Sequence, residues 1–212
     1  MNFHIVTLFP KAFDSYLGES ILKRAREDKK IRVLFYNPRD YAEDKWRRID
    51  RPPYAGGPGM VIEALPVIRA VEAALRRAKK PKIIFLSPSG KQATNSYAET
   101  LTKKTKDVII ICGRYEGIDA RVRKVFKTEE ISVGPYVLTG GELGAMILID
   151  LISRRLPGVL GNPDSLEERR VASKDVYTRP EVFKYKGKTY RAPKVLLSGD
   201  HARIEKWKGS RR

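Results

Sequence analysis

The first 160 or so residues alternate short apolar runs with longer stretches in which apolar positions recur with the period of a helix. Runs of this length and spacing predict strands that alternate with helices, and this order is typical of an α/β domain with a mainly parallel sheet and helices on both faces. The predicted strands are 3–8, 31–36, 82–86, 107–112 and 130–133. The predicted helices are 11–28, 61–80 with an interruption near Pro66, 93–104, 117–126 and 141–154.

The character of the sequence changes after Gly161. Residues 162–176 are polar with few large apolar side chains, so we interpret them as a linker or loop. The remainder, 177–212, contains a strand-like run at 194–197 and an amphipathic end at 200–207, and it is too small to bury much core of its own. We therefore predict a main domain at 1–161, a linker at 162–176 and a small basic C-terminal domain at 177–212.

Charge adds a candidate partner to this picture. The 212 residues include 43 Lys and Arg against 25 Asp and Glu, a formal net charge of +18. An excess of this size favours polyanionic partners such as RNA, because Lys and Arg that neutralise phosphates release condensed counterions. Residues 163–212 carry 14 basic and 7 acidic side chains. A heat-adapted surface is the competing interpretation, although such surfaces usually keep the two signs closer to balance.

Several classes of protein are disfavoured by what the sequence lacks. One cysteine, Cys112, and two histidines, His4 and His201, are too few for a zinc or iron–sulfur site, and no disulfide forms within one chain. Dinucleotide, P-loop and serine-hydrolase signatures are missing. No apolar run reaches 18 residues and no signal peptide precedes the first strand, so we expect a cytoplasmic protein without membrane contact.

Glycine, proline and polar residues gather directly after three of the predicted strands, in the segments 86–91, 112–119 and 132–142. Open α/β sheets bind ligands at the carboxyl ends of their strands. Glycine permits close approach of the backbone to a ligand. The three segments together predict a site lined by main-chain N–H and C=O groups.

Strings of residues spread in order over nearly the whole chain resemble those of the bacterial tRNA (guanine-N1)-methyltransferases. The most specific are 112–119 (CGRYEGID) and 138–142 (LTGGE). The others are 53–60 (PYAGGPGM), 86–91 (LSPSGK), 157–161 (PGVLG), 177–180 (YTRP) and 195–202 (VLLSGDHA).

This resemblance implies a deep C-terminal trefoil knot in the α/β domain, an exception to the rule that chains do not thread their own loops. It also implies a homodimer with its active site at the subunit interface, tRNA held by the small C-terminal domain, and methylation of guanosine 37 from S-adenosylmethionine. A requirement for Mg²⁺ is left open. The residues implied to contact the donor are Leu86, Ser87, Pro88, Gly90, Gly113, Tyr115, Glu116, Val133, Gly134, Pro135, Tyr136, Val137, Leu138, Gly140 and Gly141.

The chemistry of the implied reaction requires two further side chains. Guanine N1 carries a proton and is a weak nucleophile, so a general base must accept that proton, while negative charge develops on O6. The resemblance assigns Arg154 to that oxygen. Glu116 is expected to hold the guanine or the donor, and Tyr115 is a candidate for stacking on the extruded base.

The general base is the main departure from the family pattern. Where the family has an aspartate in an Asp-Ser-Phe string, this chain has Arg169, Arg170 and Val171 after two glutamates, and about four residues are missing before Tyr177. Asp175 and Glu168 are the two candidate replacements, and a third group remains an alternative. The missing aspartate also keeps open the hypothesis of an RNA-binding homologue with weakened catalysis. A knotted methyltransferase acting on another RNA is a separate alternative.

Three smaller departures accompany it. Ala55 and Pro135 replace a usual glycine and a usual aspartate, and Pro135 removes one N–H donor beside the expected site. The chain ends soon after Trp207, earlier than is usual for the family.

Overall fold

A computed structural model describes residues 1–54, 56–162 and 175–210. The strands are β1 (Asn2–Val6), β2 (Arg32–Tyr36), β3 (Asp50–Arg51), β4 (Val61–Ile62), β5 (Lys82–Gln92), β6 (Asp107–Ile111), β7 (Glu129–Ser132), β8 (Val182–Tyr185) and β9 (Lys188–Arg191). The helices are α1 (Asp14–Leu17), α2 (Ser20–Glu27), α3 (Ala64–Leu75), α4 (Asn95–Lys104), α5 (Arg121–Val125), α6 (Gly141–Ser153) and α7 (His201–Gly209). The chain separates into two compact units, Met1–Gly161 and Asn162–Arg212.

The first unit is organised around a five-stranded sheet in the order β2-β1-β6-β5-β7, and every pairing in it is parallel. Because successive side chains of a strand point to opposite faces, the apolar side chains of these strands pack into two hydrophobic cores, one on each face of the sheet. Phe3 and Ile5 join α1, α2, α4 and α6 in one core, whereas Val6 joins α3 and α5 in the other. The prediction of an α/β fold with a mainly parallel sheet and helices on both faces is confirmed.

A buried polar chain crosses the sheet near its centre. The two ring nitrogens of His4 lie 2.9 Å from the Tyr36 hydroxyl and 3.1 Å from the Asp107 carboxylate, and the Asn2 side chain donates to the same carboxylate at 3.0 Å. His4 is 1% exposed. It is therefore a core histidine with a hydrogen-bond partner at each ring nitrogen, and its position in an apolar strand predicts this burial.

Three of the predicted helices were wrong in extent. The helix predicted at 11–28 is divided into a 3₁₀ turn, α1 and α2, because Gly18 closes α1 and Ser20 takes a φ of 49°. The helix predicted at 61–80 begins only at Ala64, since Val61 and Ile62 pair with β3, and it ends at Leu75. Pro66 does not interrupt it, because the first turn needs no N–H donor there.

The helix predicted at 117–126 is reduced to α5, which begins where Asp119 accepts a hydrogen bond from the Arg121 N–H at 2.9 Å. The strand predicted at 82–86 continues to Gln92, and both Leu86 and Lys91 stand opposite Ile131. The four residues between them therefore form an excursion from the strand.

The second unit contains the β8–β9 hairpin, a 3₁₀ turn and α7, and none of its described residues is buried. The strand predicted at 194–197 was wrong, because Pro193 sets up a 3₁₀ turn there and the Ser198 hydroxyl bonds back to the Val195 carbonyl at 2.8 Å. Asp200 caps α7 by accepting from the Arg203 N–H at 3.1 Å. Among the described residues, no helix is long and apolar enough to cross a membrane.

Candidate functional site

A cavity of about 300 Å³ lies at the carboxyl ends of β5, β6 and β7. Its walls come from the three Gly/Pro-containing segments that follow these strands, together with the start of α6. The lining residues are Leu86, Ser87, Pro88, Gly113, Arg114, Tyr115, Glu116, Gly117, Ile131, Ser132, Val133, Gly134, Tyr136, Val137, Leu138, Thr139, Gly140, Gly141 and Gly144.

The excursion in β5 forms one wall of this cavity. Leu86, Ser87 and Pro88 line it, whereas Gly90 faces β7. A Cβ atom at Gly90 would lie 2.6 Å from the backbone of Glu130 and Ile131, so only glycine allows the chain to return to the ladder there. Pairing resumes at Lys91, and the Ala93 N–H then donates to the Ser132 carbonyl at 2.8 Å.

The segment after β7 forms the opposite wall by crossing back over the end of β5. It starts in a tight turn in which the Ser132 hydroxyl donates to the Gly134 carbonyl at 2.9 Å. It ends beside β6, where the Gly141 N–H donates to the Gly113 carbonyl at 2.8 Å. Since β5 lies between β7 and β6 in the sheet, residues 133–141 span the carboxyl end of β5.

The crossing is held by a buried ion pair. Glu142, which is 3% exposed, accepts from the Arg114 Nε at 2.9 Å and from the Thr7 hydroxyl at 2.8 Å. Its carboxylate also lies in the first turn of α6, where a negative charge is stabilised by the helix dipole. Arg114 stacks over Phe9 at 4.6 Å and so connects the pocket wall to the end of β1.

The segment after β6 is supported by the Pro/Gly-rich loop that ends at Met60. The Glu116 N–H donates to the Met60 carbonyl, and the Ile62 N–H donates to the Gly117 carbonyl, both at 3.0 Å. Tyr115 takes a φ of 60° and leaves its ring half exposed at the cavity. A non-glycine residue in this region of φ is strained, and such residues cluster at ligand sites.

Cys112 lies directly behind the pocket and is not a nucleophile in the folded protein. Complete burial raises the pKa of its thiol, and the nearby Glu142 carboxylate raises it further. The thiol therefore stays protonated.

The structure brings thirteen of the fifteen predicted donor-contacting residues together around the cavity. The two others, Gly90 and Pro135, do not line it. Arg154, which ends α6, lies at a second cavity of about 510 Å³ on that helix, beside Tyr16, Met146 and Asp150. Asp175 is the first described residue after 162, and Glu168 lies outside the described residues.

Sequence reasoning missed six of the lining residues, which are Arg114, Gly117, Ile131, Ser132, Thr139 and Gly144. Arg114 and Thr139 lie inside the quoted strings, so their position in the chain was a usable signal. Gly144 gave no signal, because a glycine inside an apolar helix indicates nothing about which neighbour it faces. Within the ranges that the structure describes, no group of three or more His, Cys, Asp and Glu side chains is placed to hold a metal ion.

The site and the fold together define a class of protein. This is an α/β protein with a cavity enclosed by backbone segments at the carboxyl ends of three parallel strands, and its sequence has no P-loop signature. The sequence model described as tRNA (Guanine-1)-methyltransferase TrmD matches residues 1–212. The chain therefore belongs to the tRNA (guanine-1)-methyltransferase family, and the resemblance seen in its motifs is confirmed.

Relatives and a solved structure agree with this membership. A tRNA (guanine-N(1)-)-methyltransferase of Dehalococcoides mccartyi strain CBDB1 is 46% identical over 213 residues, which cover 98% of this chain and 84% of that protein. One from Clostridioides difficile strain 630 is 44% identical and is covered to 90%. The crystal structure of tRNA (m1G37) methyltransferase from Aquifex aeolicus is 36% identical with a TM-score of 0.80, covering 99% of this chain and 88% of that chain.

Proposed function

We propose that this protein transfers a methyl group from S-adenosylmethionine to N1 of guanosine 37 in tRNA. The observation that carries the proposal is the cavity at the ends of β5, β6 and β7, which is built from the same strings that identify the family. The relatives are named for methylation of guanine N1 in tRNA, and the Aquifex aeolicus structure is named for position 37.

The cavity fits the methyl donor in size and chemistry. Its volume of about 300 Å³ is at the lower end of the range for small-molecule sites. Leu86, Val133 and Leu138 offer apolar surface, while the glycine-rich segments present backbone N–H and C=O groups to a purine and an amino-acid group. When bound, S-adenosylmethionine supplies a methyl group on a positively charged sulfur.

The chain's own residues have three tasks in such a reaction. The pocket walls hold the two reactants in line, which is the main contribution to a displacement at carbon. A carboxylate accepts the N1 proton, and Asp175 and Glu168 are the candidates for that role. The Arg154 guanidinium stabilises the charge that develops on O6 of the guanine.

The position of Arg154 supports an active site shared between two copies of the chain. Gly141, at the start of α6, lines the cavity, and Arg154 follows thirteen residues later at the other end of the helix. At 1.5 Å per residue these two positions are about 20 Å apart. This distance is greater than an arginine side chain can span, and it supports a proposal in which Arg154 serves the cavity of a second copy.

The surface of α6 supports the same homodimer. The helix carries apolar residues on both its buried and its exposed faces, with Leu148 and Ile152 buried in the core while Leu143 and Ile147 remain 51% and 36% exposed. A helix with apolar residues on every side is normally buried. The exposed face lines the second cavity next to Arg154, so a two-fold contact there would bring Arg154 toward the partner.

The path of residues 133–141 over β5 supports the trefoil knot that the resemblance implies. The chain returns from β7 to β6 and is fixed there by the Gly141 hydrogen bond and by a bridge between Arg114 and Gly140. In our proposal this crossing is the knot, and α6 is the segment that passes through it.

The charge of the C-terminal part supports tRNA as the substrate. Residues 177–210 carry nine Lys and Arg against three Asp and Glu, and they leave Tyr185, Tyr190 and Phe183 exposed. Cations that neutralise phosphates and aromatic rings that stack on bases are the usual means of holding RNA.

We assign residues 177–212 to binding of the tRNA anticodon arm, 162–176 to the linker and 1–161 to the knotted domain of a cytoplasmic enzyme. Any Mg²⁺ would then be held through water and substrate phosphates.

The reaction is tested by incubating the protein with S-adenosylmethionine and an unmodified tRNA transcript that carries guanosine 37. Nuclease digestion and mass spectrometry should reveal 1-methylguanosine, and a transcript with adenosine 37 is the control. Methylation only in another RNA would favour the related knotted enzymes. Binding of tRNA without any product would favour the RNA-binding homologue.

The general base is tested by comparing Asp175→Asn with Glu168→Gln in single-turnover assays. Loss of the base should lower the rate by about 10²–10⁴-fold. The rate should recover as pH rises and guanine N1 loses its proton unaided. Full activity in both variants would remove both carboxylates from the mechanism.

The shared site is tested by mixing two inactive variants. Arg154→Ala removes the guanidinium, and Gly144→Leu fills the cavity, because a Cβ at Gly144 already lies 3.4 Å from Leu86. After random exchange of subunits, half of the dimers are mixed and each has one intact site, so about a quarter of the wild-type activity should return. A mixture that stays inactive while exchanging subunits would overturn the shared site.

A further inference from the structure

The strongest concentration of positive charge in the first unit lies at the amino ends of the parallel strands, opposite the cavity. Twelve Lys and Arg lie in four short segments there, and none of these segments contains an Asp or Glu. We call them the amino-end patch, which consists of Lys29, Lys30, Arg32, Arg76, Arg77, Lys79, Lys80, Lys82, Lys103, Lys104, Lys106 and Lys127.

The topology makes this patch continuous. Each segment joins the end of a helix to the start of a sheet strand, and the strand order places 29–32, 103–106, 76–82 and 127 side by side. Direct contacts connect them. The Met1 amine donates to the Lys30 carbonyl at 2.9 Å, the Asn2 N–H donates to the Lys106 carbonyl at 2.7 Å, and the Thr105 hydroxyl donates to the Lys80 carbonyl at 3.2 Å.

Few of these charges are neutralised by the protein. Ion pairs join Lys30 to Asp28 at 3.4 Å, Lys82 to Glu129 at 2.8 Å and Lys103 to Glu99 at 3.0 Å. In the described parts of the chain, no ion pair reaches the exposed side chains of Lys79, Lys80, Lys104 or Lys106. The neighbouring Asp107 carboxylate is buried against His4 and Asn2 instead.

Helix geometry explains only part of this charge. Cations in the last turn of a helix are stabilised by its dipole, which accounts for Lys103 and Lys104 in α4. Lys80, Lys106 and Lys127 lie in connecting segments after the helices have ended. Heat-adapted surfaces distribute both signs in networks, whereas these segments carry one sign only.

We infer that the amino-end patch is a second RNA-binding surface, which holds the phosphate backbone of a double-stranded tRNA stem. Five strands at about 4.8 Å spacing extend over roughly 19 Å, a length along which a nucleic-acid duplex carries roughly eleven phosphate charges. Duplex RNA is recognised mainly through its shape and its phosphates, and surface Lys and Arg side chains suit that contact.

The composition of the patch favours a duplex over other anionic partners. The patch segments contain no Phe, Tyr or Trp, so they offer no platform for stacking single-stranded bases. None of the large apolar side chains that are exposed in the described residues lies in these segments. An anionic membrane surface is therefore disfavoured, because interfacial binding relies on apolar anchors.

The test uses a blunt twelve-base-pair RNA duplex, which has no anticodon loop and no guanosine 37. A triple variant, Lys80→Gln, Lys104→Gln and Lys106→Gln, is compared with wild type by fluorescence anisotropy between 50 and 200 mM salt. The matched control is Lys23→Gln, Arg24→Gln and Lys124→Gln, which removes three exposed cations outside the patch. Equal melting temperatures of the two variants establish that both are folded.

The patch variant should bind the duplex at least tenfold more weakly at 50 mM salt. Its plot of log affinity against log salt should be less steep by about 2–3, since each lost phosphate contact lowers the slope by about 0.9. The control should stay within twofold of wild type. Equal losses in both variants, or a patch variant that loses affinity for phosphatidylserine vesicles but not for RNA, would overturn the inference. Because the duplex cannot be methylated at guanosine 37, either result stands apart from the proposed reaction.

Discussion

Replacing Gly141 with alanine should destabilise the chain crossing that forms one wall of the cavity. A Cβ atom at this position would lie 2.7 Å from the Cα of Cys112, 2.9 Å from its Cβ and 3.0 Å from the Gly113 nitrogen. These are backbone or near-backbone atoms of a buried strand end, so they cannot move aside as the tip of a long side chain would. The start of α6 must therefore move away from β6.

The magnitude follows from two effects. Overpacking a close contact costs about 1–3 kcal/mol. The displaced Gly141 N–H also loses its 2.8 Å hydrogen bond to the Gly113 carbonyl, and a bond of this kind contributes about 1 kcal/mol. The free energy of unfolding should fall by about 2–4 kcal/mol. With a urea dependence of about 2 kcal/mol per molar, the unfolding midpoint should move down by roughly 1–2 M.

The measurement is urea unfolding followed by circular dichroism, together with calorimetric binding of S-adenosylmethionine. Gly161→Ala is the matched control, because a Cβ there meets no atom within 4 Å and the residue is not in the left-handed region. The variant at Gly141 should also bind the donor more weakly, since the displaced wall lines the cavity. Unfolding midpoints within 0.3 M of each other for the two variants would refute the reasoning.

Three further predictions follow from buried groups. Arg114→Met should lower the free energy of unfolding by about 2–4 kcal/mol, because it leaves the buried Glu142 carboxylate without its cation. Adding Glu142→Gln to this variant should recover part of that loss. Strictly additive effects of the two substitutions on the free energy of unfolding would contradict the pairing. Cys112 should resist iodoacetamide at pH 8 until urea unfolds the protein, because burial raises the pKa of its thiol; rapid labelling of the native protein would contradict this. Burial raises the pKa of Asp107, but hydrogen bonds from Asn2 and His4 outweigh it and hold that pKa below its ordinary value of 3.8. The stabilising effect of the carboxylate is thus complete above pH 3.8 and is lost as pH falls below it. The loss of unfolding free energy caused by Asp107→Asn should therefore be smallest in acid. A difference in unfolding free energy between wild type and variant that grows in acid would refute this.

The fold class could be predicted because the sequences of the buried strands are continuous apolar runs. Residues 108–111 are all 0% exposed, as expected for a parallel strand covered on both faces. The ends of elements were less predictable. From their sequence, Val61 and Ile62 look like the first residues of a helix. In the structure they form a strand, because they pair with β3 and Ile62 bonds to Gly117. Those partners are distant in sequence, so periodicity does not encode them.

The walls of the cavity were predictable because glycine and proline mark the ends of β5, β6 and β7. The ion pair behind them was not, since Arg114 and Glu142 are 28 residues apart and nothing in their spacing indicates contact. The β8–β9 hairpin could have been found. Lys186 and Gly187 both take positive φ between two four-residue runs that contain aromatic and β-branched residues, and a two-residue turn of this kind is a recognised hairpin signal.

The excursion between Leu86 and Lys91 has a kinetic consequence. Both of its ends are fixed in the ladder with β7, and Gly90 is locked against the β7 backbone. A segment held at both ends over four residues cannot swing open as a flap. In the proposed enzyme, exchange of methyl donor for spent product should therefore depend on movement of residues 133–140, a span twice as long between its fixed ends at Ser132 and Gly141. Solvent exchange of their amide protons should accordingly occur at the rate of product release, while the amides of the paired β5 residues on either side of the excursion stay protected throughout turnover.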